Sequence, residues 1–160
     1  MRMTVSPVSD ISTHPGSPPP DVIVVEDTPT DRRLLREAFD EAGSDVNLRA
    51  YDNGDEAVTA LLTLKDAGPT VLPHLLIADL QLPGRNGHEV IATLKADPAL
   101  EWLPAVIITR SENEEDVRRS YAVGANAHLQ KPAGFDGWVE LAETIERFWI
   151  DRSITPPRGA

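Results

Sequence analysis

Five short apolar runs punctuate this chain, separated by longer stretches in which apolar residues recur at helical spacing. The first, Asp21-Val22-Ile23-Val24-Val25, is β-branched after its opening residue and lacks the polar alternation of a half-exposed strand. Such a run must be covered on both faces, which is the condition of a strand inside a parallel sheet flanked by helices. Leu75-Leu76-Ile77-Ala78 and Pro104-Ala105-Val106-Ile107-Ile108 have the same character. Strands alternating with amphipathic helices predict right-handed βα units, here five of them, in an α/β doubly wound parallel sheet.

The helices are marked by their ends. Thr28-Pro29-Thr30-Asp31 offers an N-cap, a proline at the first helical position and a first-turn acid. Leu34, Leu35, Ala38, Phe39 and Ala42 then recur at helical spacing as far as Gly43. A second strand is predicted over 46–51, followed by a helix capped by Asn53 with Glu56, and a loop over 68–73. The third helix should run over 87–96, before Asp97-Pro98. Ser111 with Glu114 forms the capping pattern of a fourth, which Gly124 stops. The fifth strand, over 125–130, is the weakest, because alanine and asparagine are poor strand formers. A last helix over 135–150 carries Phe135, Trp138, Leu141, Ala142, Ile145, Phe148 and Trp149 as one stripe.

Four of the five runs end in a polar residue suited to phosphoryl chemistry: Glu26 and Asp27, Asp79, Thr109 and Lys131. An open α/β sheet binds its ligands outside the carboxyl ends of its strands, where the strand order reverses, so these residues should share one pocket. Each alone has an ordinary explanation. Glu26 and Asp27 could merely favour the N-terminus of the next helix, Asp79 could stabilise a turn before Pro83, and Lys131 could be a solvated turn residue. Together, the carboxylates are unfavourable unless a cation neutralises them, and Mg2+ suits an all-oxygen set.

Composition narrows the function classes. Of 160 residues, 15 are lysine or arginine and 26 are acidic, for a formal charge of -11, which repels nucleic acid and anionic membrane surfaces. There is no cysteine, so thiolate metal sites and a cysteine nucleophile are excluded. No apolar stretch reaches the roughly 20 residues of a membrane span, and a cytoplasmic protein is expected. Residues 1–20, rich in serine and proline, read as a disordered tail, 21–150 as one domain, and 151–160 as a flexible tail.

Val25-Glu26-Asp27, Asp79 with Pro83 and Gly87 after it, Thr109, and Lys131-Pro132 resemble the receiver domain of two-component response regulators, in order and spacing. The resemblance implies the CheY-like fold with strand order 2-1-3-4-5. It makes Asp79 the phosphoacceptor and Asp27 and Asp79 direct Mg2+ ligands, with the backbone carbonyl of Gln81 as a third and Glu26 acting through water. Thr109 would bond the phosphoryl group after transfer, Lys131 would pair with Asp79 and then with that group, and Lys131-Pro132 would be cis. The implied protein is a signalling phosphoacceptor, not an enzyme acting on a separate substrate.

Two positions depart from the pattern. Arg110 follows Thr109 where most receivers have a small residue, and it either tunes access as a solvent-facing side chain or contacts the phosphoryl group. His128 stands where many receivers carry an aromatic switch residue, and a half-exposed strand histidine is the alternative. No DNA-binding region follows, so a stand-alone receiver signalling by protein contact is expected. Glu146-Arg147-Phe148-Trp149-Ile150 and the long loop before Leu75 resemble regulators that accompany phytochrome histidine kinases, implying a bacteriophytochrome-type kinase as partner. Phe148 and Trp149 are expected to form a homodimer contact on the fourth- and fifth-helix face. The competing expectations are a Mg2+-dependent aspartyl-phosphate phosphatase, which needs a second aspartate where Gln81 stands, a flavodoxin-like flavin carrier, whose phosphate Glu26-Asp27 would repel, and an unphosphorylated binding module.

Overall fold

The computed structural model describes residues 18–156. Five βα units follow one another: β1 (Asp21–Val25), α1 (Pro29–Glu41), β2 (Asn47–Tyr51), α2 (Gly54–Ala67), β3 (Leu75–Ala78), α3 (Gly87–Lys95), β4 (Ala105–Thr109), α4 (Glu114–Ala122), β5 (Ala127–Gln130) and α5 (Phe135–Ile145). All pairings are parallel, in the order β2-β1-β3-β4-β5, so the order reverses between β1 and β3.

Side-chain alternation along the strands divides the core in two. Val22, Val24, Ile77 and Val106 pack with Leu35 and Phe39 of α1 and Trp138 and Ile145 of α5. Ile23, Leu76 and Ile107 pack on the other face with Leu61 of α2 and Ile91 and Leu94 of α3. Every residue of β3 and β4 is buried, as continuous apolar runs require, whereas the edge strands β2 and β5 have none buried.

The ends of elements hold most of the differences from expectation. Asn53 caps α2 as expected, accepting from the Glu56 amide at 2.8 Å. At α4 the cap is Asn113, which accepts from the Glu115 amide at 2.9 Å. Ser111 instead gives its hydroxyl proton to the Asp116 carboxylate at 2.6 Å and accepts from the Asn113 amide at 3.3 Å, ahead of the helix rather than inside its first turn. The last helix leaves α geometry at Ile145 and continues as a π turn, Glu146–Ile150. There the Asp151 amide donates to the Glu146 carbonyl at 2.9 Å and that of Ser153 to Phe148 at 2.8 Å, both over five residues. The wider winding breaks the apolar stripe. Trp149 rests half-buried on the α1–α5 core, while Phe148 points outward with its ring edge-on to Trp149 at 4.7 Å. No peptide bond among the described residues is cis, so the Lys131–Pro132 bond is trans, contrary to the expectation from resemblance.

The tail assignment for residues 1–17 and 157–160 lies outside the described residues.

Candidate functional site

The backbone ladder carries the polar strand ends to one place. The Glu26 amide donates to the Tyr51 carbonyl at 2.9 Å, that of Asp79 to Val25 at 2.9 Å and that of Lys131 to Thr109 at 2.8 Å, each extending a strand pair by one step. Asp79 thus follows β3 directly, beside the end of β1 at the reversal of strand order. Gly87, the first residue of α3, lies against its backbone, and a Cβ there would collide with the Asp79 carbonyl, so only glycine admits the helix this close.

Glu26, Asp27 and Asp79 each offer one carboxylate oxygen within 4.8 Å of the others. Lys131 Nζ sits beside them, 2.7 Å from Glu26 Oε2, 2.8 Å from Asp31 Oδ2 and 2.9 Å from Asp79 Oδ2. An ammonium has three N–H donors, and all three are engaged. The other Asp79 oxygen, Oδ1, accepts from the Leu80 amide at 2.7 Å, which fixes the carboxylate in two directions.

Asp31 is the member that strand-end reasoning missed. It is in the first turn of α1 and buried, and Arg110 Nη1 and Nη2 grip it at 2.8 and 3.1 Å. A first-turn acid is explained well enough by the helix dipole, so its sequence position gave no reason to place it in the pocket. The clue lay in pairing it with the departure at Arg110. That arginine is neither free in solvent nor aimed away: its side chain is 64% exposed, but its fork closes on Asp31 at the pocket rim.

These neighbours shift protonation in opposite directions. Burial pushes the Glu26 carboxyl up, against the hydrogen bond from Lys131. The Arg110 guanidinium holds Asp31 down at about 2, with Lys131 helping and burial opposing. For Lys131 burial favours the neutral amine, but Asp31, Asp79 and Glu26 together outweigh it and hold the ammonium charged. Glu26, Asp27, Asp31 and Asp79 thus gather four acidic side chains at the pocket, against the cations of Lys131 and Arg110. Hard carboxylate oxygens at this spacing fit Mg2+ or Mn2+.

The remaining predicted residues lie around this centre. Thr109 closes β4, buried, its Oγ1 accepting from the Ser111 amide at 3.2 Å. Gln81 lines a cleft with Asp27, Pro83 and Asn86. His128 is half-buried on β5, with Nε2 3.2 Å from the Ser111 carbonyl and Nδ1 2.8 Å from Ser120 Oγ. A carbonyl only accepts, so Nε2 donates to Ser111, and the Ser120 hydroxyl gives its own proton to the Asp116 carbonyl at 2.9 Å. The buried His88 joins the same hydroxyl through Nε2 at 2.8 Å, and burial pushes its pKa down.

A doubly wound sheet with an acidic pocket and a buried lysine at its reversal point is built to take up a phosphoryl group on a carboxylate. Residues 22–143 match the response regulator receiver domain family, and the chain belongs to it. It is 32% identical over 141 residues to the response regulator Rcp1 of Synechocystis sp., covering 88% of this chain and 96% of that one. Among solved structures it resembles the phosphorylated cyanobacterial phytochrome response regulator RcpA, with TM-score 0.78 and 30% identity over 87% of this chain and 99% of the other. The Mn(2+)-bound form of Rcp1 superimposes with TM-score 0.74 and 32% identity over 87% and 100% of the two chains. The chain is therefore a phosphoacceptor of two-component signalling rather than a classical enzyme, and its family implies a histidine kinase as partner. No described helix is long and apolar enough to cross a membrane.

Proposed function

We propose that Asp79 accepts a phosphoryl group from the phosphohistidine of a phytochrome-type sensor kinase. The observation that carries this reading is the contact of Lys131 Nζ with Asp79 Oδ2 at 2.9 Å, beside carboxylates spaced for one divalent ion. An Asp79 carboxylate oxygen forms the new O–P bond as the donor's N–P bond breaks. The imidazole leaves with the electron pair and regains its proton from solvent.

Glu26, Asp27 and Asp79, with the Gln81 backbone carbonyl, would hold Mg2+, which supplies charge neutralisation for the transferring group. Lys131 stays protonated throughout and follows the charge from carboxylate to phosphoryl oxygens. Thr109 donates its hydroxyl to the phosphoryl group, drawing the Ser111 amide and the following loop with it. His128, bonded to the Ser111 carbonyl, carries that movement to β5 and α4. The similarity to phytochrome response regulators supports the choice of kinase. The exposed Phe148, with Tyr121 of α4 also exposed, supports a homodimer surface on this side of a cytoplasmic regulator.

Incubation with acetyl phosphate and Mg2+, followed by phosphate-affinity electrophoresis, should retard the wild type and leave Asp79→Asn unshifted. A wild type that is not modified, even with its kinase, would reduce the protein to an unphosphorylated binding module.

A further inference from the structure

We propose that Arg110 is a second, movable cation for the phosphoryl group and that Asp31 is the carboxylate on which it waits. This rests on Asp79 being the acceptor.

One oxygen, Asp31 Oδ2, is shared by Lys131 Nζ and Arg110 Nη1, each at 2.8 Å. The fork of Arg110 is therefore one acceptor atom away from the lysine that faces Asp79. Lys131 has no spare donor while Glu26, Asp31 and Asp79 occupy its three protons. A transferred phosphoryl group brings about two negative charges and three strong acceptor oxygens, more than one ammonium can serve. Arg110 is a second cation at the pocket, joined to it through Asp31, and its side chain is mostly exposed, whereas that of Lys131 is 3% exposed.

Its position adds a reason for it to move. Arg110 lies between Thr109 and Ser111, whose hydroxyl and amide are hydrogen-bonded, on the loop that follows Thr109 inward. Displacement of that loop shifts the arginine backbone and weakens the bidentate geometry on Asp31. A planar guanidinium then meets phosphoryl oxygens with the same fork it used on the carboxylate. Asp31 is buried and keeps its bond to Lys131, so it is not stranded. Once on the phosphoryl oxygens, Arg110 also shields the acyl phosphate from water.

In this arrangement Asp31 and the phosphoryl group compete for one arginine, and the lifetime of the phosphorylated protein reports the competition. The test is loss of label from protein phosphorylated on Asp79, with Mg2+, in wild type, Arg110→Ala, Arg110→Lys, Asp31→Asn and the double variant Asp31→Asn/Arg110→Ala. Arg110→Ala should lose its phosphoryl group about five- to tenfold faster, with Arg110→Lys recovering part of the lifetime. Asp31→Asn, which releases the arginine, should lengthen the lifetime, and the double variant should match Arg110→Ala. An unchanged lifetime in Arg110→Ala, or a lengthening by Asp31→Asn that survives without the arginine, would overturn the proposal while leaving Asp79 as acceptor. A wild type that cannot be labelled on Asp79 would overturn both.

Discussion

The middle of the sheet and its β5 side are held together by different forces. At β1, β3 and β4 nearly every side chain is buried, and the polar ends emerge from close-packed apolar strands. On the other side β5 has no fully buried residue, and α4 buries only Ser120. There the structure depends on hydrogen bonds: His88 and His128 meet on the Ser120 hydroxyl, and Ser111 bonds both Asp116 and His128. Dense packing resists small displacements, whereas each net hydrogen bond contributes only about 1 kcal/mol and can be exchanged for another. The difference teaches where the chemistry can be fixed and where a signal can be read. Carboxylates that must stay in register stand on the packed strands, and the surface that must change is joined to them by replaceable polar contacts.

Substitutions on the two sides should separate these roles. Removing Lys131 tests the packed side most severely, because it leaves Glu26, Asp31 and Asp79 without their shared cation. Lys131→Ala should lose about 3 kcal/mol of stability in urea unfolding at neutral pH with chelator, and added Mg2+ should recover part of it. Within the sheet, Ile107→Ala should cost about 2–4 kcal/mol, since Ile107 is fully buried, against about 1 kcal/mol or less for the half-buried Leu129→Ala. Equal losses would mean that β5 is packed as firmly as β4.

Acid offers a milder probe. Asp31 ionises at about 2 in the folded chain, below the roughly 3.9 of an unfolded aspartate. Its contribution is therefore complete above the unfolded value and is lost as pH falls through the folded one. The stability advantage of wild type over Asp31→Asn should be constant near neutrality and shrink between about pH 4 and pH 2. Smallest of all, Ser120→Ala should cost about 1 kcal/mol, speed amide exchange in α4 more than in β3 or β4, and leave phosphorylation of Asp79 within about twofold of wild type.

The same contrast explains how far the sequence could be read. β1, β3 and β4 were plain because burial on both faces demands consecutive apolar residues, and the edge strand β5 was faint because nothing requires them there. Glu26, Asp27, Asp79, Thr109 and Lys131 could be grouped in advance because strand ends share a sheet edge by topology. Asp31 could not, since its bond to Lys131 spans 100 residues and joins a helix turn to a strand end. Local competition hid the rest. Asn113 took the cap expected of Ser111, and a π turn after Ile145 turned Phe148 away from the stripe its spacing suggested.

Trp138, buried in the α1–α5 core, also lines the pocket with Glu26, Asp31, Asp79 and Lys131. An indole beside a cluster of charges is an optical gauge of the local electric field. Its emission should shift when a divalent ion or a phosphoryl group changes that field, so the unlabelled protein can report occupancy of its own site in real time.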